Sequence, residues 1–107
     1  MQEPLSFRSE ILSKLKDLVI DQLSSEKVCV YLFGSWAREE EKKSSDIDIA
    51  IEPKKALDPI IWNKLLEEIE ESIIPYKVDV IDVRYANPEL VKKVKEEGVL
   101  WKNCITD

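Results

Sequence analysis

Two short motifs at a fixed distance constrain this chain most: Gly34-Ser35, then ten residues, then Asp46-Ile47-Asp48. Before the first runs Val28-Cys29-Val30-Tyr31-Leu32-Phe33, apolar and rich in β-branched and aromatic residues, the composition of a buried strand. The second opens Asp46-Ile47-Asp48-Ile49-Ala50-Ile51, which alternates with the period of two that a strand imposes. A Gly-Ser turn after one strand therefore leads, through a polar segment, to a second strand carrying two carboxylates on one face. Ile47, Ile49 and Ile51 are assigned to the core; Asp46, Asp48 and Ala50 take the other side.

That spacing has a chemical use. Same-face residues two apart on a strand lie about 6.5–7 Å apart. Carboxylates placed side by side repel unless a cation neutralises them, and Mg²⁺ is usually held by one or two carboxylates plus substrate phosphates. A third strand is predicted at Lys77-Val78-Asp79-Val80-Ile81-Asp82-Val83, where Asp79 points opposite to Val78 and Val80. On a strand next to Asp46 and Asp48 it completes a set able to hold two metal ions for in-line nucleotidyl transfer. Asp82 has the parity of Val78, so a turn role at the strand end suits it better. Asp is depleted in strands, and an exposed sheet face would more commonly carry Lys, Glu or Thr.

The Gly-Ser turn supplies a phosphate end. Gly34 lets backbone or ligand approach without a Cβ in the way. Ser35 is predicted to cap a short helix through Trp36-Ala37-Arg38-Glu39, whose free N–H groups attract phosphate oxygens.

On these residues the chain resembles the nucleotidyltransferase superfamily that includes DNA polymerase β. More closely, it is similar to the minimal nucleotidyltransferases that act as antitoxin partners of HEPN-domain proteins. The resemblance covers essentially the whole chain to about Trp101. It implies an α+β fold in a single domain, residues 1–107, with a mixed sheet, helices on one face and the aspartates on the other. It implies transfer of a nucleoside monophosphate, with ATP the expected donor, to a hydroxyl on a HEPN-type partner, and release of pyrophosphate. Asp46, Asp48 and Asp79 are then the catalytic and metal-binding residues, with two Mg²⁺ ions expected. Gly34, Ser35 and Arg38 bind the nucleotide. One position departs from the pattern: many members have a second glycine where Glu39 stands. A carboxylate there would crowd or repel phosphate unless Arg38 offsets it by pairing with Glu39 or with the phosphate. The competing reading of Arg38 is an exposed helix residue, and that of the whole chain is a binding module that neutralises its partner without chemistry.

Composition narrows the alternatives. A chain of 107 residues supports one modest core. Its formal net charge of −6 argues against a free-standing nucleic-acid binder, which needs a basic face to release phosphate counterions. Lys42 and Lys43 stand beside the expected site, within reach of phosphate. The sequence contains no histidine, which removes His-based acid–base catalysis. No apolar run reaches the roughly 18 residues of a membrane span, and Met1–Phe7 lacks the basic start of a signal peptide, so a cytoplasmic location is expected. Cys29, inside an apolar strand, reads as a reduced core residue; the role of Cys104 is open.

Around the motifs, Ile11, Leu12, Leu15, Leu18, Val19 and Leu23 recur at helical spacing, predicting a helix from about Ser6 to Ser24. Asp58-Pro59 and Asn87-Pro88 each read as a cap and first turn, opening helices to about Glu71 or Ser72 and to Gly98. Val99-Leu100-Trp101 suits a short edge strand or a docking segment. Trp36 is assigned to core support in preference to a place beside the nucleotide. An acceptor must be oriented at the site, and a chain this short is expected to obtain that orientation from a partner protein, with self-association compatible alongside.

Overall fold

The computed structural model describes residues 7–104; Ser6, the expected helix start, and the rest of Met1–Ser6 lie outside the described residues. Helix α1 spans Phe7–Gln22, strand β1 Val28–Phe33, strand β2 Ile47–Pro53 and helix α2 Pro59–Glu70. Strand β3 at Val78–Asp82 leads through a 3-10 turn at Val83–Tyr85 to helix α3, Pro88–Glu97, and strand β4, Val99–Lys102. The four strands form one sheet in the order β3-β2-β1-β4. β1 runs antiparallel to β2 and β4, whereas β2 and β3 are parallel, so the sheet is mixed. The parallel pair needs a crossover, which α2 provides.

One face of the sheet presents Val28, Val30, Leu32, Ile47, Ile49 and Ile51, all buried. Against it pack Ile11, Leu15, Val19 and Leu23 from the α1 side and Leu65 and Ile69 of α2. Each of these side chains gains about 1.5–3 kcal/mol on leaving water, which fixes the register of β2 and with it the direction of Asp48. Asp58 caps α2 by accepting from the Ile60 amide at 2.9 Å, and Asn87 caps α3 by accepting from Leu90 at 2.8 Å.

The mixed sheet and its two-helix face agree with the sequence reading, but α3 departs from it. This helix covers the far half of the carboxylate face, where Val94, Leu90 and Val91 pack on Phe33, Ala50 and Val83. Ala50 is small enough to admit the helix. The carboxylate face is thus half core and half open.

Two further expectations are corrected. Residues 35–39 form successive hydrogen-bonded turns and no α-helix, so Ser35 caps nothing. The amides of Ala37 and Arg38 both donate to the Gly34 carbonyl, and Glu40 donates to Ser35. Glu39 takes a left-handed φ of 60°, which a continuing helix excludes. Cys29 is not a free thiol: it is disulfide-bonded to Cys104, and both are buried. The antiparallel register of β4, with Lys102 opposite Val30, carries the following residues back alongside Cys29.

Candidate active site

Asp48 lies in parallel register with Asp79 on β3 and opposite Phe33 on β1. Asp46 sits just before β2, on the same face by strand alternation. The three predicted aspartates therefore meet at one end of the sheet, beside the Gly34 turn. Asp82 remains apart: its carboxylate accepts from the Arg84 amide at 2.9 Å and pairs with the Arg84 guanidinium at 2.7 Å, the turn role expected of it.

Electrostatics registers the crowding. The Asp48 carboxyl is pushed up to about 6 by burial, then by the neighbouring charges of Asp79 and Asp46, with Arg38 opposing. Asp79 is the open member, its side chain 51% exposed and its carboxylate 4.0 Å from Lys77. The oxygens are spread: among the described residues, only Cys29, Glu52 and Cys104 place three potential ligand atoms within 4.8 Å of one another. That group is occupied by the disulfide and by Lys95, which holds Glu52 at 2.7 Å. Spreading is what mutual repulsion predicts for uncompensated carboxylates. Three oxygen-donor side chains on adjoining strands fit a hard divalent cation in chemistry and charge.

Gly34 has a φ of 77°, and a Cβ there would overlap the Asp48 Oδ2 atom. The conformation favours glycine, and a side chain there would push the Asp48 carboxylate aside. Among the described residues no acceptor is bonded to the Ser35 or Trp36 amide. Trp36 holds the segment down, as expected of core support. It is buried at 2% exposure, meets Tyr76 edge-on at 4.9 Å, and donates from Nε1 to the Ser45 carbonyl at 3.3 Å. Arg8 of α1 donates to the Trp36 carbonyl and pairs with Glu41 at 2.7 Å.

Arg38 does not pair with Glu39. Its Nε donates to Glu40 at 2.9 Å and its Nη1 to Glu97, at the end of α3, at 3.2 Å. Sequence reasoning missed Glu97: it lies 59 residues from its partner in an ordinary charged helix end, and no spacing rule reaches it.

Residues 13–103 match the family described as Polymerase beta, Nucleotidyltransferase. The chain belongs to this nucleotidyltransferase family. Among the relatives, Methanocaldococcus jannaschii "Putative protein adenylyltransferase MJ1217" is 36% identical over 99 residues, 91% of this chain and 96% of that protein. A toxin–antitoxin crystal structure with AMP-PNP superposes with a TM-score of 0.66 at 30% identity, over 82% of this chain and 73% of that one. A complex of tri-AMPylated Shewanella oneidensis HEPN toxin with its MNT antitoxin superposes at 0.58 and 27% identity, over 91% and 73%. Within this nucleotidyltransferase the aspartates stand on an open sheet face beside a partly exposed turn. No helix among the described residues is long and apolar enough to cross a membrane.

Proposed function

We propose that this nucleotidyltransferase moves AMP from ATP to a hydroxyl group on a HEPN-type partner protein and so acts as an antitoxin. The observation that carries the reading is the junction of Gly34 with Asp48 and of Asp48 with Asp79, a glycine turn set directly against carboxylates in register on neighbouring strands. The relatives' name as protein adenylyltransferases and the AMPylated toxin beside a similar chain support the choice of donor and acceptor.

In this reading the Ser35 and Trp36 amides donate to the triphosphate's oxygens, and the missing Cβ of Gly34 admits them close to the backbone. Arg38 supplies positive charge at the same edge. Asp46, Asp48 and Asp79 would hold two Mg²⁺ ions, whose chemistry there would be to neutralise charge on the triphosphate and the departing pyrophosphate. Asp79, the most open of the three, takes the proton from the acceptor hydroxyl. A bond forms between that oxygen and the α-phosphorus while the bond to the β-phosphate oxygen breaks, releasing pyrophosphate. The open face needs a second chain to bring the acceptor in and exclude water, and such positioning contributes much of the rate.

A second reading, neutralisation by complex formation alone, draws on Glu39 at the position where many members have glycine. One experiment separates the two. Protein co-expressed with its partner is incubated with Mg²⁺ and α-labelled ATP, in parallel with an Asp46→Asn/Asp48→Asn variant. Label on the partner that vanishes with the variant supports transfer. No label, with the variant still neutralising the partner, leaves binding alone as the function.

A further inference from the structure

Arg38 is held from two sides. Glu40 takes its Nε at 2.9 Å, and Glu97 takes its Nη1 at 3.2 Å from across the fold. Among the described residues Nη2 has no partner, so one edge of the guanidinium remains free to donate.

The placement of Glu97 is built into the backbone. A Cβ on Gly98 would overlap the Val94 carbonyl and come within 3.4 Å of Leu32, so only glycine passes directly from α3 into β4 there. The Gly98 amide closes the helix on that carbonyl at 2.8 Å. Val99 then pairs with Leu32, two residues before Gly34. Glu97 is thus delivered to the turn end of β1, beside the site and not on the remote face of α3.

The Arg38 amide donates to the carbonyl of Gly34 at 3.2 Å, and Gly34 is the residue packed against the Asp48 carboxylate, so Arg38 is carried on the same turn as that contact. A guanidinium free to move there would pair with Asp48 or Asp79, since Arg matches carboxylates with two parallel hydrogen bonds. Such a pair would occupy the oxygens that the proposed metal ions require.

We propose that Glu97 is a positioning residue: it anchors the Arg38 guanidinium beside the triphosphate and keeps it off the catalytic aspartates. The inference rests on the nucleotide-transfer reading above and adds a residue to it. When the triphosphate arrives, a phosphate oxygen takes the free edge of Arg38 while Glu97 keeps hold of Nη1.

The test compares wild type, Glu97→Gln, Glu97→Asp, Arg38→Gln and Glu97→Gln/Arg38→Gln, each in complex with the partner. Mg·ATP affinity is read by calorimetry, the transfer rate at saturating ATP by labelling, and folding by thermal melts. Glu97→Gln is expected to weaken Mg·ATP binding about five- to tenfold, the scale of one ordinary net hydrogen bond as suits a partly exposed pair, with an unchanged melt. Glu97→Asp should recover part of that loss, and the double variant should be no worse than Arg38→Gln alone. Affinity unchanged in Glu97→Gln, or losses that add in the double variant, would overturn the inference. A wild type that binds Mg·ATP but labels nothing defeats the transfer reading while the affinities still judge Glu97. A wild type that does not bind Mg·ATP overturns both.

Discussion

Gly34 and Asp48 are in contact across the first two strands, with no room between the glycine backbone and the carboxylate for a single methyl group. The turn and the acid are consequently one structural unit. Gly34→Ala should both strain the backbone at its φ of 77° and displace Asp48. A stability loss of about 1–3 kcal/mol in urea is expected, with at least a tenfold drop in labelled AMP transfer. Wild-type transfer by this variant would show that the contact has no bearing on the chemistry.

Asp48 makes stability depend on pH in an uncommon direction. Its unfolded pKa is about 3.9, against about 6 in the fold. Below the first value both states carry the proton and the group contributes nothing. Between the two values the folded chain keeps a proton that the unfolded chain has lost, so this group's contribution falls as pH rises and is fully unfavourable above about 6. Because the carboxyl is partly exposed, solvent screening limits the penalty to about 1–2 kcal/mol. Metal-free Asp48→Asn should match wild type at about pH 3 and exceed it by that amount at about pH 8 in urea unfolding.

Glu39 occupies a conformation that glycine adopts without strain. Glu39→Gly is expected to raise stability by about 0.5–1 kcal/mol, the relieved strain exceeding the added freedom of the unfolded chain. Thermal melts read this directly. Glu39→Gln, which removes the charge and keeps the strain, should leave the melt unchanged. If it nevertheless tightens Mg·ATP binding, repulsion by the Glu39 carboxylate is the reason.

The Cys29–Cys104 bond closes a loop spanning 75 residues of sequence. Reducing it, or replacing Cys104 with Ser, should cost about 2–4 kcal/mol in denaturant unfolding. Cys29 is five residues from Gly34 along β1, roughly 17 Å at strand spacing. Transfer at room temperature should therefore survive reduction even as the melt drops. A reduced protein as stable as the oxidised one would remove the bond from the account of stability.

Most of the sheet was legible because its signals are local. The isoleucines of β2 fix which way Asp48 points, and Val78 and Val80 do the same for Asp79, so the meeting of the acids follows once the strands are neighbours. Both Pro-opened helices carry their caps in sequence. The segment after Gly34 differs from its sequence reading because a serine leading into Trp36-Ala37-Arg38-Glu39 has the form of a cap and first turn, whereas both Ala37 and Arg38 turn back on the Gly34 carbonyl and Glu39 reverses handedness. The cover on Ala50 was hidden because α3's apolar stripe does not say which side of the sheet it meets. The Cys29–Cys104 and Arg38–Glu97 pairs depend on where β4 and α3 end, long-range consequences of the fold that no spacing in the chain encodes.

β3 is an outer strand, and an outer strand is a hazard, since its unpaired backbone groups invite another strand to add on. Here the strand and its approach carry Lys77, Asp79 and Asp82. Charges along such an edge repel strand addition, a common protection against aggregation. The carboxylate proposed to take a proton from the acceptor is thus also one of the charges guarding this edge, and neutralising Asp79 is expected to lower solubility independently of catalysis.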